Sequence, residues 1–195
     1  MASPIMALFT QTGAYLHGHF RLTSGLHSAE YLQCAKVLAY PDFAGRLGQE
    51  LADLIKTIAP EIDIDVVVAP AMGGIVIGHE VARALHARSL FTERDAATNT
   101  MSLRRGFEIE PGETAVVIED VITTGGSTQE VVRVLQAAGA EVVAAGSIID
   151  RSGGRADVGV PRVSLQTIEP LTYKPEDCPL CSAGQPIVKP GSRRA

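Results

Sequence analysis

VVIEDVITTGGST, residues 116–128, changes character twice within a short span. Val116, Val117 and Ile118 belong to an apolar, β-branched run of the kind buried on both faces of a parallel sheet. Glu119 and Asp120 follow at its end, and Thr123-Thr124-Gly125-Gly126-Ser127 leads into the helical pattern QEVVRVLQAAG, which Gly139 is placed to stop. A buried strand passing through a small, hydroxyl-rich turn into a helix is the first half of a βαβ unit. The strand EVVAAGSIID, residues 141–150, completes it.

The same rhythm runs upstream. VVVAPA (66–71) predicts a buried strand, GGIVIGHEVARAL (73–85) a glycine-led helix, and SLFTE (89–93) the next strand. Repetition of this unit predicts an α/β fold, a mainly parallel central sheet flanked by helices. Before it, Pro41 opens the amphipathic helix PDFAGRLGQELADLIKTI (41–58). IMALFTQTGAYL (5–16) predicts an N-terminal helix, while HFRLTSG (19–25) and SAEYLQCAKVL (28–38) alternate like two short strands of a small hairpin outside the main sheet. The expected organisation is a single domain over residues 1–195, with an N-terminal hood of about 1–40 and a C-terminal extension of about 170–195.

Composition narrows the partners. Apolar residues make up 46% of the chain and charged residues 20%, without a long block of like charge, as expected of a globular protein. The net charge is −5 and the one small basic cluster is Arg193-Arg194, which argues against a nucleic-acid partner. No window approaches 18 continuous apolar residues, and the start MASPIMALFTQTGAYL lacks the layout of a signal peptide. No membrane partner and a cytoplasmic location are the corresponding expectations. Three cysteines, Cys34 and the pair in Cys178-Pro-Leu-Cys181, do not form a secreted disulfide framework.

In a parallel α/β sheet, ligands gather at the carboxyl ends of the strands. Four loops share that rim: Pro70 to Gly74, Glu93 to Met101, Glu119 to Ser127 and Asp150 to Gly154. Thr123, Thr124, Gly125, Gly126 and Ser127 combine hydroxyls, glycines that admit a close ligand, and the unpaired N–H groups of a helix start, which together make a phosphate cradle. The Lys of GxxxxGK[ST] is absent and so is GxGxxG, so the cradle suits a monophosphate rather than a nucleoside triphosphate or a dinucleotide. Glu119 and Asp120 beside it suit sugar hydroxyls or a metal ion. An acidic strand end with an ordinary Thr cap is the plainer reading of the same residues.

Taken whole, VVIEDVITTGGST resembles the phosphoribosyl pyrophosphate signature of the type I phosphoribosyltransferases. The resemblance extends from about Leu8 to Arg155, and three further segments are similar to the orotate-using members. HFRLTSGLHSAEYLQ (19–33) resembles their hood over the pyrimidine, TERDAATNTMSLRRGFEI (92–109) their mobile basic loop, and GSIIDRSGG (146–154) the segment that carries an arginine for orotate. The resemblance implies a type I phosphoribosyltransferase fold and transfer of phosphoribose to orotate. For phosphoribosyl pyrophosphate it implies Met72, Gly73, Arg94, Glu119, Asp120, Val121, Ile122, Thr123, Thr124, Gly125, Gly126 and Ser127, and for orotate Thr123, Arg151, Tyr31, Ser24 and Gly25. Glu119, Asp120, Arg104 and Arg105 are the implied catalytic groups. A fixed guanidinium at Arg151 is a natural bidentate partner for the carboxylate that distinguishes orotate from uracil. A surface pair of Arg151 with Asp150 or Asp157 is its structural alternative.

The family's transition state has oxocarbenium character. Mg²⁺ held through substrate oxygens, with Asp120 as the candidate protein ligand, and arginines closing over the diphosphate would stabilise the leaving charge. The resemblance also implies a homodimer with shared active sites, the loop from Arg94 to Arg105 reaching the neighbouring subunit. This chain departs from the pattern in having Thr23 where family members carry a hood lysine and Met72-Gly73 where they carry Tyr-Lys. Two other functions use the same signature: a purine phosphoribosyltransferase, and a non-catalytic regulator that senses phosphoribosyl pyrophosphate.

His17, His19 and His27 cluster in the hood and read as surface or packing histidines. Cys178 and Cys181 have zinc-ligand spacing, but the chain has no second such pair. CPLC therefore reads as a reduced turn, with a closed site requiring symmetry-related chains or ligands of another kind.

Overall fold

The computed structural model of the protein describes residues 3–22 and 24–190; Thr23 and the Arg193-Arg194 pair lie outside them. Contacts divide the chain into two compact units, one made of the N-terminal segment up to Val37 and the segment from Glu169 onward, the other of Leu38–Ile168.

In the smaller unit, Pro4 begins helix α1 (Pro4–Gln11), which ends at Thr12 and at Gly13 with φ of +61°. The expected helix to Leu16 thus stops short, because Tyr15 and Leu16 already belong to strand β1 (Tyr15–Arg21), which pairs antiparallel with β2 (His27–Leu32). Residues 34–38, expected to prolong the second strand, instead form the short helix α2 (Cys34–Leu38). Cys34, Val37 and Leu38 are its buried residues, and their spacing of three and four is helical.

The larger unit begins with α3 (Pro41–Ile58), followed by β3 (Val66–Pro70), α4 (Gly74–Leu85), β4 (Arg88–Arg94), β5 (Met101–Leu103), β6 (Thr114–Ile122), α5 (Gly126–Ala137), β7 (Glu141–Asp150) and β8 (Arg162–Thr167). These strands form one sheet in the order β5-β4-β3-β6-β7-β8, parallel except for the β4–β5 hairpin. The α/β architecture expected from the βαβ rhythm is therefore present, with β5 and β8 added at its two edges. The chain returns to the smaller unit through β9 (Thr172–Tyr173), which pairs with β2, then a 3₁₀ turn and the single-turn helix α6 (Pro179–Ser182).

Both faces of the central strands are covered, as their uninterrupted apolar sequences require. Val66, Val68, Ala115 and Val117 pack with Val131, Val132 and Leu135 of α5. The alternate residues face the other layer: a side chain on Gly78 of α4 would meet Ala69 at 2.8 Å, and one on Gly146 would meet Ile118 at 3.0 Å and Leu51 of α3 at 3.1 Å. Period-two alternation thus divides one strand between two helical layers, each buried Val or Ile contributing roughly 1.5–3 kcal/mol. Strand order reverses between β3 and β6, since the chain leaves β3 toward β4 and leaves β6 toward β7. That topological switch point lies at the carboxyl ends of the strands and is where such sheets bind ligands.

Candidate active site

Strand β6 runs through the two acids to Ile122, so Glu119 and Asp120 lie inside its last turns of pleat. Glu119, half-buried, accepts a hydrogen bond at Oε2 from the hydroxyl of Thr128 at 2.5 Å, a fully buried residue in the first turn of α5. One acid is thus anchored to the helix that its own strand leads into. Thr128 is the last residue of the 116–128 motif, and spacing alone does not disclose this bond to Glu119.

Asp120 faces the loop after β3. A Cβ built on Gly73 would lie 2.6 and 2.7 Å from the two carboxylate oxygens of Asp120 and 2.8 Å from its Cγ. Gly73 has φ of −59°, which any residue adopts, so the requirement for glycine is purely one of space. It caps the start of α4, whose first N–H groups have no intrahelical acceptors. The Ala71–Met72 peptide before it is cis, and the Met72 side chain is largely exposed. Burial pushes the Asp120 carboxyl above the ordinary aspartate range, against the opposing hydrogen bond from the Val121 N–H. A carboxylate whose charge is disfavoured by its surroundings is a place where a cation is welcome.

The turn after β6 supplies the second helix start. Gly125 adopts φ of +83° as the N-cap of α5, and a side chain there would approach the Asp157 carbonyl and Val158 at 3.0 Å, so both conformation and space demand glycine. The first bond of the helix is Gln129 N–H to Gly125 C=O at 2.9 Å, leaving the N–H groups of Gly126, Ser127 and Thr128 ahead of the helical ladder. Thr123, Thr124 and Gly126 are exposed and Ser127 is half-buried. Val121 is half-buried, whereas the Ile122 side chain sits in the core beneath α5 and only its backbone reaches the rim.

That backbone ties in the next loop. The Ile122 carbonyl accepts from the Arg151 N–H at 2.8 Å, which brings the β7 loop alongside the cradle. Asp150, fully buried, shapes this loop by accepting from Ser152 N at 2.7 Å, Ser152 Oγ at 2.6 Å, Gly154 N at 3.1 Å and Arg162 Nη1 at 2.8 Å. Burial alone would push its carboxyl up, but the bonds from Ser152 and the charge of Arg162 outweigh it and hold the carboxyl below the usual range. Asp150, the surface partner considered for Arg151, is thus a buried pair with Arg162.

Within residues 92–109, residues 92–94 and 101–103 pair as the β4–β5 hairpin, with Arg94 opposite Met101. Its turn is held internally: Asp95 Oδ1 accepts from the N–H groups of Ala97 and Thr98, both at 2.9 Å. Arg94 pairs with Glu130 of α5 at 2.7 Å and donates to the Asn99 carbonyl at 2.6 Å. Arg105 pairs with Glu93 at 2.8 Å and lies over the Phe91 ring at 5.7 Å. Arg104 is exposed. Of these three arginines, Arg94 and Arg105 therefore have acidic partners.

Tyr31, Ser24 and Gly25 belong to the smaller unit. Tyr31 lies on β2 with its ring 5.9 Å from that of Phe20, and Ser24 and Gly25 form the turn between β1 and β2, where Gly25 has φ of +85°. No described helix is long and apolar enough to cross a membrane.

Comparison with known proteins shows the family. Residues 43–181 match the model of the phosphoribosyl transferase domain. The chain is 52% identical over 190 residues to orotate phosphoribosyltransferase of Desulforamulus reducens, covering 97% of this chain and 96% of the relative. It is 53% identical to the enzyme of that name from Pelotomaculum thermopropionicum, covering 97% of both. The crystal structure of orotate phosphoribosyltransferase from Aeropyrum pernix superposes with a TM-score of 0.69 at 26% identity, over 85% of this chain and 94% of that one. The chain belongs to the phosphoribosyl transferase domain family and, within it, to the orotate phosphoribosyltransferases.

Proposed function

We propose that the protein transfers the 5-phosphoribosyl group of 5-phospho-α-D-ribose 1-diphosphate to orotate, giving orotidine 5′-monophosphate and diphosphate in UMP biosynthesis. The observation that carries this reading is the meeting of three rim loops at the switch point: Asp120 against Gly73, the Gly125 helix start, and Arg151 hydrogen-bonded to Ile122. In the reaction the bond from ribose C1′ to the diphosphate oxygen breaks as the bond to orotate N1 forms, with loss of the N1 proton. The 5-phosphate is seated by the backbone and hydroxyls of Thr123–Ser127, and the ribose hydroxyls by Glu119 and Asp120. Glu119, fixed by Thr128, holds its position, while Asp120 offers its charge where positive charge grows on the sugar.

Mg²⁺ fits this donor set through substrate oxygens and one carboxylate, since Asp120 is a single acid with its charge disfavoured by burial. Bound with the donor, the ion supplies neutralisation of the leaving diphosphate. Met72, Gly73 and the start of α4 hold the diphosphate by N–H groups in place of the family's lysine, and the exposed Arg104 adds charge. Arg94 and Arg105 contribute only if their pairs with Glu130 and Glu93 open. Arg151 and Thr123 bind the pyrimidine. The same reading makes the protein a cytoplasmic homodimer in which the β4–β5 hairpin serves the neighbouring site.

The test is the kinetics of Arg151→Ala against both substrates. Loss of a guanidinium from a desolvated carboxylate costs about 2–4 kcal/mol, so kcat/KM for orotate falls roughly 30- to 1000-fold while KM for the donor changes little. Equal losses for both substrates would make Arg151 structural and leave the orotate reading without its anchor.

A further inference from the structure

We infer that His19, His27, Cys178 and Cys181 form a closed, tetrahedral Zn²⁺ site that staples the C-terminal segment to the β1–β2 hairpin. The four ligand atoms, His19 Nε2, His27 Nδ1 and the two Sγ atoms, all lie within 4.8 Å of one another. The individual separations are 3.0 Å between the two histidine nitrogens, 3.6 Å from Cys178 Sγ and 3.7 Å from Cys181 Sγ to His19 Nε2, and 3.3 Å from Cys181 Sγ to His27 Nδ1. A tetrahedron with Zn–N near 2.05 Å and Zn–S near 2.3 Å has edges of about 3.3 Å for N–N and about 3.6 Å for N–S. The side chains are already spaced as ligands around one small cation.

Hydrogen bonding alone does not account for the convergence of these groups. His19 Nδ1 lies 2.9 Å from the Gln185 carbonyl, which can only accept, so Nδ1 carries the proton and Nε2 presents a single lone pair. That lone pair faces three neighbours at once, the His27 ring and both thiols. One lone pair cannot serve three donors, whereas one cation can take a ligand atom from each of the four side chains. A backbone carbonyl that fixes the tautomer of a ligating histidine is also the usual outer-shell support of a zinc site.

Burial agrees. His19, His27 and Cys178 are 4%, 6% and 1% exposed, and Cys181 alone is exposed. Four protein ligands leave no open position, which makes the site structural rather than catalytic, and two sulfurs with two imidazoles in a tetrahedron select zinc among common divalent ions. The Cys178-Pro-Leu-Cys181 turn is shaped by Ser182 N–H to Cys178 C=O at 3.1 Å and Gly184 N–H to Cys181 C=O at 2.9 Å. Beyond it, Val188 bonds to His19 and Arg21 of β1 through N–H and C=O at 2.8 and 2.9 Å. A metal held by all four side chains would tie two segments about 150 residues apart in the chain to one another.

The experiment is metal analysis of the full-length protein purified without chelator, by native mass spectrometry and elemental analysis, alongside Cys181→Ser and His19→Ala. The expected result is one zinc per chain in the unaltered protein and loss of that zinc in both variants. Replacement by Co²⁺ should give the intense visible bands and thiolate charge transfer of four-coordinate cobalt. Removal of zinc by a chelator should lower Tm, with recovery on adding Zn²⁺. A metal-free protein that takes up neither Zn²⁺ nor Co²⁺, an intact Cys178–Cys181 disulfide, iron in place of zinc, or zinc retained in full by Cys181→Ser would each overturn the assignment. The reading of the phosphoribosyl site does not depend on any of these outcomes.

Discussion

Replacing Gly73 by alanine places a methyl group 2.6 Å from one carboxylate oxygen of Asp120 and 2.7 Å from the other. Ordinary contact begins near 3.4 Å, so something must move by roughly 0.8 Å. The obstructing atoms are the end of a side chain, and the φ of −59° suits alanine, so the backbone can stay while the Asp120 carboxylate swings away. Stability should fall by only about 1 kcal/mol, or about 2–4 °C in Tm for a chain of this size. Catalysis should suffer more, because displacing a positioned group by nearly 1 Å costs up to about 100-fold. Steady-state kinetics with saturating Mg²⁺ should therefore show kcat/KM reduced roughly 10- to 100-fold in a protein that melts almost normally. Gly78→Ala on the same helix is the control: its Cβ would meet the Ala69 methyl at 2.8 Å, away from the acids, so it should lower Tm at least as much and leave kcat nearly intact. Wild-type kcat/KM in Gly73→Ala would refute the reasoning, since Asp120 would then merely pack against the loop.

Asp120→Asn should separate stability from activity. The folded carboxyl titrates above its unfolded value near 4, so its stabilising contribution exists at low pH and is lost as pH rises through the folded value. At pH 7 the charge is a net cost, and the amide should leave Tm unchanged or higher in thermal melts while kcat/KM drops by about 100-fold or more. Asp150 has the opposite sign: its lowered value means stability present above about pH 4 and lost as pH falls through the folded value. Asp150→Asn should cost about 3 kcal/mol in denaturant titrations at pH 7 by leaving Arg162 without its buried partner, and the difference from wild type should shrink in acid. Arg104→Ala should reduce kcat more than Arg105→Ala, which gives up an existing pair with Glu93. Mixing Arg104→Ala with Asp120→Asn and allowing subunit exchange should restore about one quarter of wild-type activity if sites are shared between protomers, and none if they are not.

The parallel sheet was legible because its strands are continuous apolar runs each followed by a glycine-led amphipathic helix, a pattern that strands and helices impose at different periods. The segment Cys34–Leu38 misled because a five-residue helix offers too short a window to separate period two from period 3.6. The edge strand β8 went unread for a different reason: its residues are only half-buried, so their apolar pattern is weak. Within the candidate site, Glu119, Asp120 and the glycine-led turn were visible in the motif, but the side chains they pack and bond with were not. Glu119 bonds a threonine nine positions on, Asp120 packs against a glycine 47 positions back, and Asp150 pairs with Arg162 across a turn. Each depends on which strands become neighbours, which local pattern cannot state. The His19, His27, Cys178 and Cys181 cluster is the extreme case, with its halves about 150 residues apart and joined only because the chain returns to β2 through β9.

The central claim is that the switch point of this sheet transfers phosphoribose to orotate. Turnover should be measured with 5-phospho-α-D-ribose 1-diphosphate, Mg²⁺ and, in parallel, orotate, uracil, adenine or hypoxanthine, following base consumption and diphosphate release together. Consumption of orotate alone, with one diphosphate released per orotidine 5′-monophosphate formed, is the predicted result. Turnover of a purine with orotate untouched, or donor binding with no turnover of any base, would contradict it.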